Sequence, residues 1–183
     1  PYREIVFSGF TAHWIPHIYR DTIVCYSFSK SLSLPGERIG YFCVPDCAED
    51  SAELFAAGAG AARIMGHVCA PSLQQMVVRA CAEVKPDLTV YDQNRKLLYT
   101  ELTSYGYDCV YPKGAFYLFP DISSFGLDSK TFCDRLLEEA HVVCVPGSAF
   151  GAVGEGHMRI AYTAKTEDII EAMRRIREFC AKL

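Results

Sequence analysis

The sequence contains no apolar run approaching the roughly 20 residues that a membrane-spanning helix requires. Its opening, Pro1-Tyr2-Arg3, shows no basic segment leading into an apolar stretch and a small-residue cleavage pattern. No membrane association is therefore expected, and the expected compartment is the cytoplasm. Positive charge is not in excess: Lys+Arg 18 stands against Asp+Glu 22, a net charge of -4, with the basic residues scattered. This argues against nucleic acid or an anionic lipid surface as partner. No C-x-x-C pair occurs, and Cys43 with Cys47 is a lone C-x3-C. Structural zinc needs about four ligands, so no metal is expected. Among the histidines only His13 and His17 have ligand spacing; beside Trp14 and Pro16 they read as a surface loop. The chain has no G-x-S-x-G, no Walker motif and no carboxylate pair that stands out. It also has no initiator methionine before Pro1, so a processed piece or a fragment is expected.

What is present is a chain of 183 residues, 50% of them hydrophobic, enough for a substantial core in one large or two small domains. Nine cysteines, an odd number, lie mostly inside apolar runs such as "TIVCY" and "VVCV". They are expected to be reduced, buried thiols acting as small hydrophobes. "TIVCY" (22–26) and "GYFCV" (40–44) predict buried strands, and "EIVFSG" (4–9) is strand-like. Residues from Asp50 to about Gly66 predict an alanine-rich helix loosened by Gly58 and Gly60. "APSLQQMVVRACAEV" predicts another, with Pro71 near its first turn. Pro86 breaks the pattern. Asp87 is placed to cap a long helix with Leu88, Tyr91, Leu98, Leu102 and Tyr105 at helical spacing, so the domain boundary is expected there. Beyond Gly106 come short predicted strands, "YDCVYP", "AFYLFP", "VVCVP" and "MRIAYT", interleaved with helices at about 129–140 and 166–182. The last helix carries Ile169, Met173, Ile176, Cys180 and Leu183 on one stripe, with Arg174, Arg175 and Glu178 off it. This half predicts a small α+β domain.

The stretch that carries chemistry is "YSFSKSLSLPGERIGYFCV", residues 26–44. A lysine entering from the end of a strand can act as a nucleophilic amine and form a Schiff base with an aldehyde. Arg38, past a Pro35-Gly36 turn that can double the chain back, offers a planar fork suited to phosphate. Ser27 and Ser29 add hydroxyl donors.

The string "SFSKSLSLPGERIGY" closely resembles the lysine segment of the pyridoxal-phosphate aminotransferases of class I and II, the aspartate aminotransferase superfamily of fold type I. Downstream, "PKGAFYLFPD" (112–121), "VVCVPGSAFG" (142–151) and "HMRIAYT" (157–163) resemble that family's strand into its small domain, its P-G-x-x-F-G loop and its substrate-arginine strand. The resemblance implies an α/β fold: a C-terminal remnant of the large three-layer cofactor domain over residues 1–86, then an interdomain helix and an α+β small domain over 87–183. It implies pyridoxal 5'-phosphate as cofactor, with Lys30 as its covalent anchor and proton shuttle. Ser27 and Arg38 would hold its phosphate, Tyr2 its phenolic oxygen, and Arg159 the α-carboxylate of the substrate. It further implies an amino acid and a 2-oxo acid as substrates, and a homodimer. The family's pyridine-nitrogen aspartate, phosphate-cupping glycine turn and ring-stacking aromatic residue have no counterpart in these residues. The chain is therefore expected to be the C-terminal part of a transferase of nitrogenous groups and inactive alone. A carbon–sulfur β-lyase of the same fold, or a non-catalytic isolated domain, are the alternative readings.

Overall fold

The computed structural model describes residues 1–183, which divide into two compact units, Pro1–Pro86 and Asp87–Leu183.

The first unit is organised around an antiparallel hairpin of β1 (Val24–Ser27) and β2 (Gly40–Cys43), in the register Val24↔Cys43 to Ser27↔Gly40. Between the strands lies the short helix α1 (Phe28–Ser31). Both predicted strands form, but neither is buried: Cys25 and Cys43 are exposed, and Tyr41 is 46% exposed. "EIVFSG" forms no strand; Ile5 and Phe7 are nonetheless buried in the unit's small core. Helix α2 (Ser51–Ile64) and helix α3 (Ser72–Ala80) follow, and neither contains a buried residue. Gly58 does more than loosen α2. A Cβ there would stand 2.8 Å from the Phe42 ring, so the missing side chain is what lets that ring, itself 5.5 Å from Phe55, lie against the helix. Helix α3 ends before the "AEV" that the sequence pattern includes.

In the second unit, α4 (Thr89–Ser104) takes Leu88, not Asp87, at its cap position; Asp87, one residue earlier, still accepts from Thr89 N at 2.9 Å. Its buried face holds Leu98 and Leu102 as the spacing predicts, and also Asn94 and Arg95. "YDCVYP" pairs with no strand; Tyr107 and Cys109 are buried from an extended segment whose Asp108 carbonyl accepts from Asp121 N at 2.8 Å. The other three predicted strands shorten to β3 (Tyr117–Leu118), β4 (Val145–Pro146) and β5 (Met158–Ala161), an antiparallel sheet in the order β3-β5-β4. Helix α5 (Ser129–Ala140) is capped by Asp128. Helix α6 (Thr166–Cys180) buries Ile169, Met173, Ile176 and Phe179; the stripe therefore continues through Phe179, leaving Cys180 half-buried and Leu183 exposed. Side chains alternate along β5: Met158 and Ile160 join the core with Leu118, while Arg159 lies on the other face.

The cysteines depart from expectation. Only Cys109 and Cys133 are buried; Cys25, Cys43, Cys47 and Cys69 are exposed. The first unit's short ladder and unburied helices give its thiols no interior to enter.

Candidate functional site

The hairpin accounts for the lysine segment locally. Ser27 closes β1 and caps α1: its Oγ accepts from Ser29 N at 3.2 Å and lies 2.7 Å from Ser29 Oγ. That cap starts a helical turn at once, which carries Lys30 off the strand end, where it is half-buried. Across the ladder Phe28 N donates to the Ile39 carbonyl at 3.1 Å, so the start of α1 stands beside the return strand just after Arg38. Arg38 has φ 51°, in the left-handed region, and its Nη1 donates to the Pro35 carbonyl at 2.8 Å. The arginine thus closes its own turn with one arm of the guanidinium. It also borders a cleft of about 630 Å³ with Arg63 and His67, whose walls do not include Ser27 or Lys30.

Gly40, in "ERIGY", has a steric reason. A Cβ there would stand 2.3 Å from the Tyr26 carbonyl oxygen, a distance that no side chain tolerates. Tyr26 itself stacks on Tyr41 at 5.3 Å. Its hydroxyl donates to the Glu4 carboxylate and lies 2.7 Å from Ser31 Oγ. Burial first, and the neighbouring Glu4 carboxylate second, push its pKa up to about 12. This link ties the segment holding Tyr2 to the lysine helix. Tyr2 is half-buried, and its carbonyl accepts from Ile5 N at 3.0 Å.

Arg159 belongs to the second unit, on the central strand β5. Its guanidinium carbon lies 4.6 Å from the Tyr117 ring centroid and 4.7 Å from that of Phe150. Its Nε is buried without a hydrogen-bond partner. The Glu155 carboxylate is engaged elsewhere: Oε1 accepts from Ser129 N at 2.6 Å and Gly156 N at 3.0 Å, and Oε2 from Ser129 Oγ at 2.9 Å. Those bonds, Ser129 N first, hold the Glu155 pKa below the usual carboxylate range.

The structure thus gathers Ser27, Lys30 and Arg38 on one hairpin and links the Tyr2 segment to it through Glu4, while Arg159 sits in its own aromatic setting. His13 and His17 lie on the surface as expected. Sequence reasoning missed Tyr26, Tyr117 and Phe150. Phe150 stood in the quoted "PGSAFG", but only the sheet order brings it to Arg159.

The chain matches the family model "Aminotransferase class I and II" over residues 2–176. It is 35% identical over 96% of its length to the aspartate aminotransferase of Pyrococcus horikoshii, and 33% identical over 96% to aromatic-amino-acid aminotransferase 2 of Thermococcus litoralis, covering 46% of each. Among solved structures, an amino transferase from Eubacterium rectale superimposes with a TM-score of 0.90 at 46% identity, over 100% of this chain and 44% of that one. The chain therefore spans about half the length of the relatives it matches.

Proposed function

The chain belongs to the class I and II aminotransferases, and we propose that it forms the cofactor-lysine and carboxylate-arginine part of an enzyme that transfers an amino group between an amino acid and a 2-oxo acid. In this reading residues 1–86 end the large cofactor domain, and 87–183 form the interdomain helix and small domain. The observation that carries the reading is the hairpin: one strand end supplies a capped turn with Lys30, and the turn leading into the facing strand supplies Arg38.

The donor set fits pyridoxal 5'-phosphate, a phosphorylated aldehyde. Two serine hydroxyls 2.7 Å apart and a guanidinium suit the phosphate, and a half-buried amine suits the aldehyde. When bound, the cofactor supplies an electron sink that makes the α-proton of an amino acid acidic. Lys30 would hold the cofactor through its Nζ, and the same amine would carry the α-proton of the substrate. Ser27 and Arg38 would hold the phosphate. Tyr2 would donate to the ring's phenolic oxygen. Arg159 takes the substrate carboxylate through its in-plane N–H edge and orients the α-carbon. A cytoplasmic homodimer is the proposed working form, and the 183 residues alone are proposed to be inactive.

Reduction of the intact, cofactor-loaded gene product with borohydride, followed by peptide mass spectrometry, tests the anchor. The expected result is a phosphopyridoxyl group on Lys30 and the loss of both label and visible absorbance band in Lys30→Ala. Label on another lysine overturns the assignment. Incubation with cystathionine and no amino acceptor tests the reaction: no keto acid is expected, and release of pyruvate and ammonia would replace transfer by β-elimination.

A further inference from the structure

A bare arginine on a strand is a poor binding device, because its long side chain samples many rotamers and binding must order it. Around Arg159 the fold removes that freedom. Tyr117 stands on β3, on one flank of the central strand; Phe150 follows β4, on the other flank. Both ring centroids lie within 4.7 Å of the guanidinium carbon, inside the range of a cation–π contact.

Phe150 is in turn built in from behind. Its ring meets Phe119 edge-on at 6.1 Å, and Phe119 stacks on His157 at 5.0 Å. Its loop is fastened at several points. Gly147 N donates to the His157 carbonyl at 2.7 Å, and Ser148 N donates to Ser129 Oγ at 3.3 Å. Gly147 and Gly154 touch so closely that a Cβ on Gly147 would stand 1.9 Å from the Gly154 carbonyl oxygen. A half-exposed phenylalanine held by that much structure is not filling a core.

We propose that Phe150 is a positioning residue for carboxylate recognition: with Tyr117 it holds the Arg159 guanidinium flat between two rings, so that its N–H edge meets the substrate carboxylate already ordered. The proposal rests on the assignment of Arg159 to the substrate carboxylate. Contact with the two rings also fits the buried, unpartnered Nε, since a ring can shield that nitrogen without hydrogen bonding to it.

The test uses the intact, cofactor-loaded gene product and its variants Phe150→Leu, Phe150→Tyr and Arg159→Lys. The probe is the α-methyl analogue of its best amino-acid substrate, which has no α-proton and binds without turning over. Phe150 is 49% exposed, so the leucine variant loses little core. Phe150→Leu is expected to raise the analogue Kd and the substrate KM about tenfold with kcat changed less than about twofold. Phe150→Tyr, which keeps the ring, is expected to bind like the parent. The proposal is overturned if Phe150→Leu binds within twofold of the parent, or if Phe150→Tyr is weakened as much as Phe150→Leu, for then the loop and not the ring matters. Arg159→Lys separates the two levels. If it weakens the analogue while Phe150→Leu does not, only the positioning role fails; if it leaves binding unchanged, the assignment of Arg159 itself fails.

Discussion

Single residues in this chain are often set by what cannot fit. Gly40 is the clearest: the antiparallel register that puts Ser27 beside Gly40 also puts the Tyr26 carbonyl where a Cβ would be. The contact is with backbone, so no rotamer change relieves it. Gly40→Ala is expected to cost about 2 kcal/mol or more in denaturant unfolding, in the range of backbone overpacking, and to abolish cofactor labelling at Lys30; a variant that labels normally would show that the hairpin register is not needed there. Thiol chemistry gives a second residue-scale test. Burial pushes the Cys133 thiol up to about 11 and the Cys144 thiol up to about 12, which keeps both protonated and unreactive at neutral pH. Cys25, Cys43, Cys47 and Cys69 are exposed. Mass mapping after brief alkylation at pH 8 is expected to find those four modified and Cys133 and Cys144 spared. Early loss of Cys133 or Cys144 would contradict the described packing.

At the scale of elements, what the sequence reveals follows from the range of the interactions. Helices announce themselves through local periodicity, and α5 and the buried start of α6 lie where the spacing puts them. Asp87 was legible as a helix-start residue, because such bonds act within a few residues: it accepts from Thr89 N, although Leu88 takes the cap position itself. Strands were less so. "YDCVYP" has the composition of a strand but finds no partner, and pairing is decided by distant residues. The lysine hairpin was legible because its motif is contiguous; the rings around Arg159 were not, because Tyr117 and Phe150 reach it from separate flanks of a sheet. Asn94 is the sharpest case. On a helix it reads as a solvated residue, yet it is fully buried: its Nδ2 donates to the carbonyls of Tyr162 and Ala164 at 3.2 and 3.0 Å, and its Oδ1 accepts from Thr166 Oγ1 at 2.8 Å. It thereby joins α4 to the loop after β5 and to the first residue of α6. Asn94→Ala is expected to destabilise the chain by about 2–3 kcal/mol, since buried partners are left unsatisfied. Urea unfolding checks it; a loss under about 0.5 kcal/mol would mean that the junction does not need the amide.

For the whole molecule the two units differ in how much they hide. Neither α2 nor α3 buries a residue, and Ile64 and Met65 are 90% and 73% exposed, whereas α4, α5 and α6 all contribute to a closed core. In and beside that core lie protonated acids whose neutrality matters. Tyr107, buried with its hydroxyl 2.8 Å from Cys180 Sγ, has its pKa driven far above the usual phenol value, first by burial and then by that thiol. Cys144 is pushed up to about 12 by burial. In the unfolded chain these groups ionise near their ordinary values, about 8.5 for the thiol and 10 for the phenol. Above those values the unfolded chain has lost protons that the folded chain retains, so stability falls as pH rises. The contribution is therefore complete below about pH 8.5 and is lost progressively up to about pH 12 and beyond. Urea midpoints are expected to be level from pH 7 to about 8.5 and then to decline, and Tyr107→Phe, which has no proton to lose, is expected to decline less steeply above pH 10. Equal slopes in the two proteins would show that the buried phenol is not what couples this fold to pH.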